Sequence, residues 1–481
     1  MSCMLFPWFF GLLGIQSFLT SRNYRLFSLS RISPLVVGVA AILLEPGLLL
    51  AHAKLVRSDP AHGATLEKPP VRVRLEFSET PEVGLASVRL IGSGDTVALA
   101  PLALDSADEH VLVAPIGWSL EPGSYRIVWR LAARDGHPVS GAVVFSVREA
   151  AGVPVVSNQQ PAARADSTAT TGETESESMA LGGAVGLILV RWLAFISIFV
   201  VIGAVAFRFL VLQKLGAAEN DTFVQIASTN AATLGLAAAV GVAMSSLLKL
   251  ARESSDMPDV SIGSILLGST WGLALLVQIV ASLAAAAAFR AAHSGSDLSR
   301  LNAWRIAAVT AAILGIMPAF GGHAIAGDKS WLAVPADIVH VLVGATWLGT
   351  LAVIVVVGIA AALKAPDAIR PGERVAGMIN AFSPIALMCG GAAIATGLGS
   401  SVLRMQRIDA LWTTPYGVVL VLKLIFVALL FAAGAWNWRR LRPRLTGDDA
   451  IAPMRSSASL ELVLATAVLG ITAVLIALEL P

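Results

Sequence analysis

Two histidines and one aspartate have the residue types and positions to bind a metal ion. Asp135 and His137 lie in the segment ARDGHPVSG, and residues two apart project to the same side of an extended chain. His52 follows an apolar leader, and cleavage after Ala51 would give it a free amine beside its imidazole. Three nitrogens and one oxygen suit a tetragonal Cu(II) centre.

Each of these features also has a simpler explanation. An Asp-x-His sequence in a hairpin loop is typical of turn chemistry. The sequence AHA before Lys54 fits the small-x-small rule for signal cleavage, and cleavage there would remove His52. The residues alone leave both interpretations open.

A second set of polar residues lies in the apolar C-terminal half. His340 falls a few turns into a predicted membrane helix, and His323 lies near the outer end of the helix before it. No other histidine falls in a predicted span or at its end. Asp337 shares a helix face with His340, and Trp347 lies two turns further along that face.

The charged residues of this set admit two interpretations. Arg191 in the first predicted helix and Lys423 in the seventh lie at similar depths and could neutralise Asp337. An ionisable group inside a membrane is costly and is therefore a functional candidate. The three residues form either a structural ion cluster or part of an ion path, and Asp337, Trp347, Arg191 and Lys423 are predicted as support for His323 and His340.

The composition defines the class of protein that must position these residues. The chain has 481 residues, of which 56% are hydrophobic and 14% charged. This composition is too apolar for an ordinary soluble protein and indicates a membrane protein in contact with a lipid bilayer. A net charge of +2 does not favour nucleic acid as a partner, and two cysteines do not form a disulfide framework.

The chain divides into four predicted parts. Residues 1–51 hold two apolar stretches and are expected to be a signal peptide or leader. Residues 52–148 contain five to seven short alternating segments and are predicted to form an all-β Greek-key sandwich. Residues 149–180 are rich in Pro, Ser, Thr and Glu and are predicted to be a flexible linker. Residues 181–481 are predicted to form an all-α membrane domain.

Eight apolar runs in the last part are long enough to cross a bilayer. They cover about residues 182–212, 224–249, 263–289, 303–322, 333–362, 378–403, 415–437 and 459–478. With the sandwich outside, the inner loops collect most of the basic residues, including the run WNWRRLRPR. The outer loops hold Lys249, Arg252, Lys329, Arg404 and Arg407. This asymmetry satisfies the positive-inside rule.

The N-terminal half resembles the periplasmic copper-binding CopC family. The resemblance is carried by HAKLVRSDPAHGATL, PPVRVRLEFSE and PGSYRIVWRLAARDGHPVSGAVVFSV. It implies a cupredoxin-like, Ig-like sandwich whose Cu(II) ligands are His52, Asp135 and His137, with cleavage after Ala51. Residues 52–148 contain no methionine, so a thioether site for Cu(I) is not expected in this domain.

The membrane half resembles the CopD family of inner-membrane copper proteins. The resemblance is carried by FGGHAIAG, PADIVHVLVGATWLGTLAVI, TTPYGVVLVLKLIFVALLFAAGAWNWRRLRP and SLELVLATAVLG. The chain is therefore similar to a CopC–CopD fusion. This resemblance implies that copper, as Cu(I) or Cu(II), moves inward across the membrane past His323 and His340.

These observations predict a copper-binding protein of the bacterial cytoplasmic membrane that serves copper homeostasis or resistance and is not an enzyme. The expected partners are the copper ion, the bilayer, and an electron donor or a periplasmic copper chaperone. One alternative is a haem-binding oxidoreductase with His323 and His340 as axial ligands. Copper sequestration without transport is another alternative. A copper monooxygenase is disfavoured because Asp135 would occupy the position where oxygen binds. No G-x-x-x-x-G-K-[ST] motif for ATP is present.

Overall fold

The N-terminal domain is a β-sandwich of two sheets. The computed structural model describes residues 54–92, 95–97, 99–132, 138–148, 172–215, 221–258, 260–294, 297–321, 330–366, 369–405, 407–444 and 451–478. The strands in these ranges are β1 Leu55–Asp59, β2 Thr65–Leu66, β3 Arg72–Phe77, β4 Ser87–Gly92, β5 Asp95–Val97, β6 Ala103–Leu104, β7 Val111–Pro115, β8 Gly123–Ala132 and β9 Pro138–Val147.

One sheet has the order β1-β3-β7-β6 and the other β2-β9-β8-β4-β5. All pairs are antiparallel except β2 with β9. The inward residues of both sheets form one core, in which Phe77 meets Trp129 edge-on with ring centroids 5.0 Å apart. Gly141 lies opposite Trp129, and a Cβ at Gly141 would come within 2.5 Å of the indole.

The predicted sandwich is confirmed, and the alternating segments of the sequence correspond to β3, β4, β7, β8 and β9. The structure adds short strands and the edge strand β1, which the sequence does not reveal. In β1 the residues Arg57, Ser58 and Asp59 interrupt the apolar pattern, because an edge strand buries little of its surface.

The C-terminal half contains eight helices that are long and apolar enough to cross a membrane within the residues described. They are α1 Val185–Leu215, α2 Thr222–Asp256, α3 Thr270–Ser294, α4 Leu298–Phe320, α5 Ser330–Lys364, α6 Pro371–Arg404, α7 Pro415–Leu441 and α8 Ile451–Leu475. The predicted number of spans is confirmed, and the protein is a multi-pass membrane protein.

Two helix boundaries differ from the sequence prediction. The helix that contains α1 begins at Gly172 and so includes the end of the predicted linker. Glutamates near its start favour a helix N-terminus because of the helix dipole. Helix α3 runs to Ser294 and therefore contains His293 in its last turn, hydrogen-bonded to Thr233. The prediction that only His323 and His340 lie in or beside spans is therefore wrong.

Helix α1 packs against α2, α4, α5 and α8 and so occupies the middle of the bundle. Its backbone meets that of α5 at Gly203 and Gly349, where a Cβ on Gly203 would lie 2.1 Å from the Gly349 carbonyl carbon. Only glycines allow this crossing. Helix α5 contains two π-helical segments, Ala345–Gly349 and Ile354–Gly358, and π-bulges are frequent at functional sites.

The sandwich docks on the loop that joins α2 to α3. Leu85, in the 3₁₀ turn Val83–Leu85 between β3 and β4, is 1% exposed and packs with Met257 and Ile265 of the membrane domain. The Thr270 hydroxyl donates a hydrogen bond of 3.1 Å to the Glu82 carboxylate. A Cβ on Gly84 would lie 2.7 Å from the carbonyl oxygen of Gly268, so the two backbones are in close contact.

Candidate functional site

The sandwich site predicted from the sequence lies outside the described residues. This holds for His52, Asp135 and His137. The described residues beside them lie at one end of the sandwich. The β8–β9 pairing ends at Ala132 and Pro138, and Leu55 at the start of β1 pairs with Phe77.

Phe77 contacts Trp129 edge-on across the core, and Trp129 lies three residues before the end of β8. The described chain after His52 and the described chain around Asp135 and His137 therefore belong to the two sheets that meet at this aromatic contact.

Glu79 lies at this end and was not singled out by sequence reasoning. Glu79 follows Ser78, which is tied to Lys54 by two hydrogen bonds. The Ser78 backbone N–H donates to the Lys54 carbonyl, and the Ser78 hydroxyl accepts from the Lys54 N–H at 2.9 Å. The carboxylate oxygen Oε2 of Glu79 is buried. A carboxylate two residues beyond the end of β3 could have been identified from the segment EFSE, since β3 itself was predicted correctly.

The other two histidines of the sandwich make local contacts. His62 accepts a hydrogen bond of 3.4 Å from the Val144 N–H. Asp108 lies 3.2 Å from the His110 ring and accepts from the His110 backbone N–H, which lowers the pKa of the Asp108 carboxyl group. The His110 contact lies within one turn, whereas the His62 contact reaches strand β9.

His340 in α5 is oriented by hydrogen bonds between its ring and helix α6. Its Nδ1 lies 3.1 Å from the Thr396 hydroxyl of α6, and that hydroxyl donates to the Ala392 carbonyl at 2.7 Å. Because the Thr396 proton is already used, the His340 Nδ1–H donates to the Thr396 oxygen. The ring is also hydrogen-bonded to the Ala393 backbone of α6, and an imidazole oriented by neighbouring oxygens in this way is typical of histidines that bind metals.

The same ring packs against the backbone of α6. A Cβ on Gly397 would lie 3.0 Å from Cε1 of His340, so the glycine provides the space that the imidazole occupies. His323 lies outside the described residues.

The ion-pair partner of Asp337 is a residue that the sequence analysis assigned to an outer loop. Arg404, the last residue of α6, pairs with Oδ2 of Asp337, and the Ser400 hydroxyl donates to Oδ1 at 3.1 Å. The sequence analysis named Arg191 and Lys423, and not Arg404, as residues that could neutralise Asp337. Arg191 lies close enough to Lys249 for their charges to interact.

Lys423 in α7 lies close enough to this cluster for its charge to act on it. Its charge acts on His340 and on the Asp337–Arg404 pair. Arg404 is also hydrogen-bonded to the buried Tyr416 hydroxyl. The cluster therefore holds two cationic side chains, Arg404 and Lys423, and one carboxylate, Asp337. Because Arg404 already neutralises Asp337, a cation bound at His340 is fully attracted by Asp337 only after Arg404 moves away.

Trp347 lies two turns beyond His340 and closes the space between the helices. Its indole is 8% exposed and contacts the Phe431 ring of α7 at a centroid distance of 4.8 Å. Gly390 of α6 lies beneath both rings. The predicted placement of Trp347 on this face is consistent with a constriction below His340.

Within the residues described, no group of three or more His, Cys, Asp and Glu side chains comes together to hold a metal. His340 is accompanied instead by hydroxyl and charged groups. The cluster of Asp337, His340, Arg404 and Lys423 lies at the end of the bundle where α5 and α7 begin. The α2–α3 loop that carries the sandwich is at this same end, because the helices alternate in direction.

Comparison with protein-family models divides the chain in the same way. Residues 55–148 match the CopC domain, residues 179–334 the N-terminal domain of copper resistance protein D-like proteins, and residues 376–475 copper resistance protein D.

Individual copper proteins are similar in sequence to parts of this chain. The copper transport protein CutJ of Bacillus subtilis is 25% identical over 86% of this chain and 72% of its own. Copper resistance protein C of Xanthomonas campestris pv. juglandis is 33% identical over 26% of this chain and its whole length. The crystal structure of PcoC, a methionine-rich copper resistance protein from Escherichia coli, matches 20% of this chain and all of its own with 29% identity and a TM-score of 0.19.

The fold thus defines a class of multi-pass membrane protein with a β-sandwich docked at one end of an eight-helix bundle. The matches name that class: the chain belongs to the copper resistance family in which a CopC domain is fused to a CopD membrane domain.

Proposed function

We propose that the protein captures Cu(II) on its sandwich outside the cytoplasmic membrane and passes copper to the membrane domain for import. The sandwich would bind Cu(II) through the mature N-terminal amine, His52, Asp135 and His137. His340, together with His323, would receive the ion in the membrane domain. The role is transport and not catalysis, in agreement with the named functions of the relatives.

The observation that carries this proposal is the docking of the sandwich on the α2–α3 loop. Docking through Leu85 and Gly84 keeps a copper-capturing domain at the end of the bundle where His340 lies. A sandwich on a long free linker would have to find that end by diffusion. Docking therefore favours transfer within one molecule over sequestration alone.

His340 is suited to the receiving role because α6 orients its ring and a neutral imidazole has one nitrogen with a lone pair. Imidazole nitrogen binds both oxidation states of copper, so the ion can be taken as Cu(II) or after reduction to Cu(I) by an electron donor. Arrival of the ion would release Asp337 from Arg404. Asp337 would then offset part of the positive charge in the membrane.

Replacing Leu85 with aspartate tests the proposal. A carboxylate at a position that is 1% exposed between Met257 and Ile265 should separate the sandwich from the bundle. Cellular copper accumulation at low external copper should then fall about tenfold, equivalent to roughly 1.4 kcal/mol of lost docking energy. Leu85 is not part of the sandwich core, so Cu(II) binding by the variant should be unchanged.

Val71→Asp is the matched control, because Val71 is 76% exposed on the same domain. This variant should accumulate copper normally. Unreduced accumulation by Leu85→Asp, together with cross-linking data that show a detached sandwich, would refute the delivery step.

A further inference from the structure

The inner part of α7 and α8 holds a buried carboxyl group that the proposed copper path does not use. Glu461 is 6% exposed. The Asn437 amide donates to its Oε1, and the Ser457 hydroxyl donates to the Asn437 carbonyl oxygen. Glu461 therefore lies at the end of a directed hydrogen-bond chain.

The donor atoms of this cluster do not suit copper. Cu(I) prefers sulfur ligands and imidazole nitrogen, and Glu461, Asn437 and Ser457 offer oxygens and an amide. A carboxyl group that already accepts one hydrogen bond is well suited to gain and lose a proton on its other oxygen. The chemistry of the cluster therefore points to a proton and not to a second copper site.

No cation compensates the carboxylate within the part of the chain described. The helices packed on α8 are α7, α1 and α5. The basic residues on or next to these three helices at the inner end of the bundle are Arg208, Lys214, Lys364, Arg439, Arg440 and Arg442. Helix α8 itself contributes Arg455. The side chain that acts on Glu461 is Asn437. Because an isolated charge inside a membrane is costly, Glu461 carries a proton whenever no cation is near.

The cluster lies beyond the constriction on the way inward. Phe431 precedes Asn437 by six residues on α7, which is about 9 Å along a helix. A cleft of about 420 Å³ opens at this end, lined by Trp438, Arg439 and Arg442 among others. The cleft admits water next to the turn that carries Asn437.

We propose that Glu461 is a proton-binding site that couples copper import to outward proton movement. A copper ion that has passed the Trp347–Phe431 pair brings positive charge near Glu461 without being bound by it, and the O–H proton of Glu461 leaves toward the outer side. When the ion departs inward, the carboxylate takes a proton from the inner water. No electron moves in this exchange, and the inference rests on the proposed transport function.

The test uses the full-length protein in vesicles that contain the pH dye pyranine, with copper and ascorbate added outside. Copper entry by the unaltered protein should make the interior more alkaline. Glu461→Gln keeps the acceptor for Asn437 but cannot release a proton, so the pH change per copper ion should fall at least about tenfold, the effect of 1.4 kcal/mol. Glu461→Asp retains a titratable carboxyl and should retain the pH change.

Glu373→Gln is the matched control, since Glu373 is an exposed carboxylate in the first turn of α6, at the same end of the bundle. It should behave like the unaltered protein. Copper entry without a pH change, or a full pH change with Glu461→Gln, would overturn the proton inference and leave transport intact. Equal loss in the Gln and Asp variants would indicate a packing role and also overturn it. Absence of copper entry in the unaltered protein would refute transport itself.

Discussion

Replacing His137 with alanine is expected to abolish tight Cu(II) binding by the sandwich. His137 would supply one of three nitrogens to the ion, and removal of residues that only support metal ligands already weakens binding by about 10- to 100-fold. We therefore expect more than about a 100-fold loss of affinity in a Cu(II) titration of the isolated domain. The domain can be studied alone because it has its own core and because a relative consists of this domain alone.

His110→Ala provides the matched control, since the His110 ring contacts Asp108 in a turn. Its titration should equal that of the unaltered domain, and circular dichroism should show the same fold for all variants. His52→Ala should weaken binding as His137→Ala does, because the imidazole of the free N-terminal residue is lost. Unchanged affinity in both variants would show that the Cu(II) site lies elsewhere.

Replacing His340 with alanine should leave Cu(II) binding by the sandwich intact but impair copper entry. The imidazole that Thr396 orients and that fills the space against Gly397 is lost. We expect copper accumulation in cells to fall by about tenfold or more, as for the loss of a principal metal ligand. The measurement is cellular copper content after growth at low external copper.

His293→Ala serves as the control because His293 is in the last turn of α3, at the opposite end of the bundle. Its accumulation should match that of the unaltered protein. Normal accumulation by His340→Ala at the same expression level would remove His340 from the path.

Patterns within single segments predicted most of the fold. Alternating residues in RVRLEF and GSYRIVWRLA indicated strands, because each buries one face of the sandwich. Apolar runs of about twenty residues indicated the membrane helices, because the bilayer sets that length. Strand β1 was missed because an edge strand carries polar residues on much of its surface.

Partners between helices could not be predicted in the same way. The sequence placed Asp337 and His340 on one helix face, but the rotation of α6 decides that Arg404 and Thr396 meet them. Arg404 was assigned to a loop because it follows the apolar run, although it forms the last residue of the helix. Docking of Leu85 on Met257 likewise depends on tertiary contact between residues far apart in the sequence.

The most direct test is to measure copper inside sealed vesicles that carry the full-length protein with its sandwich outside. Copper is added outside, and a membrane-impermeant chelator then removes all ions that are only bound at the surface. Import predicts copper that resists the chelator in vesicles with the unaltered protein and much less with His340→Ala. If the chelator removes all of the copper in both samples, the protein sequesters copper without transporting it, and the proposed function is contradicted.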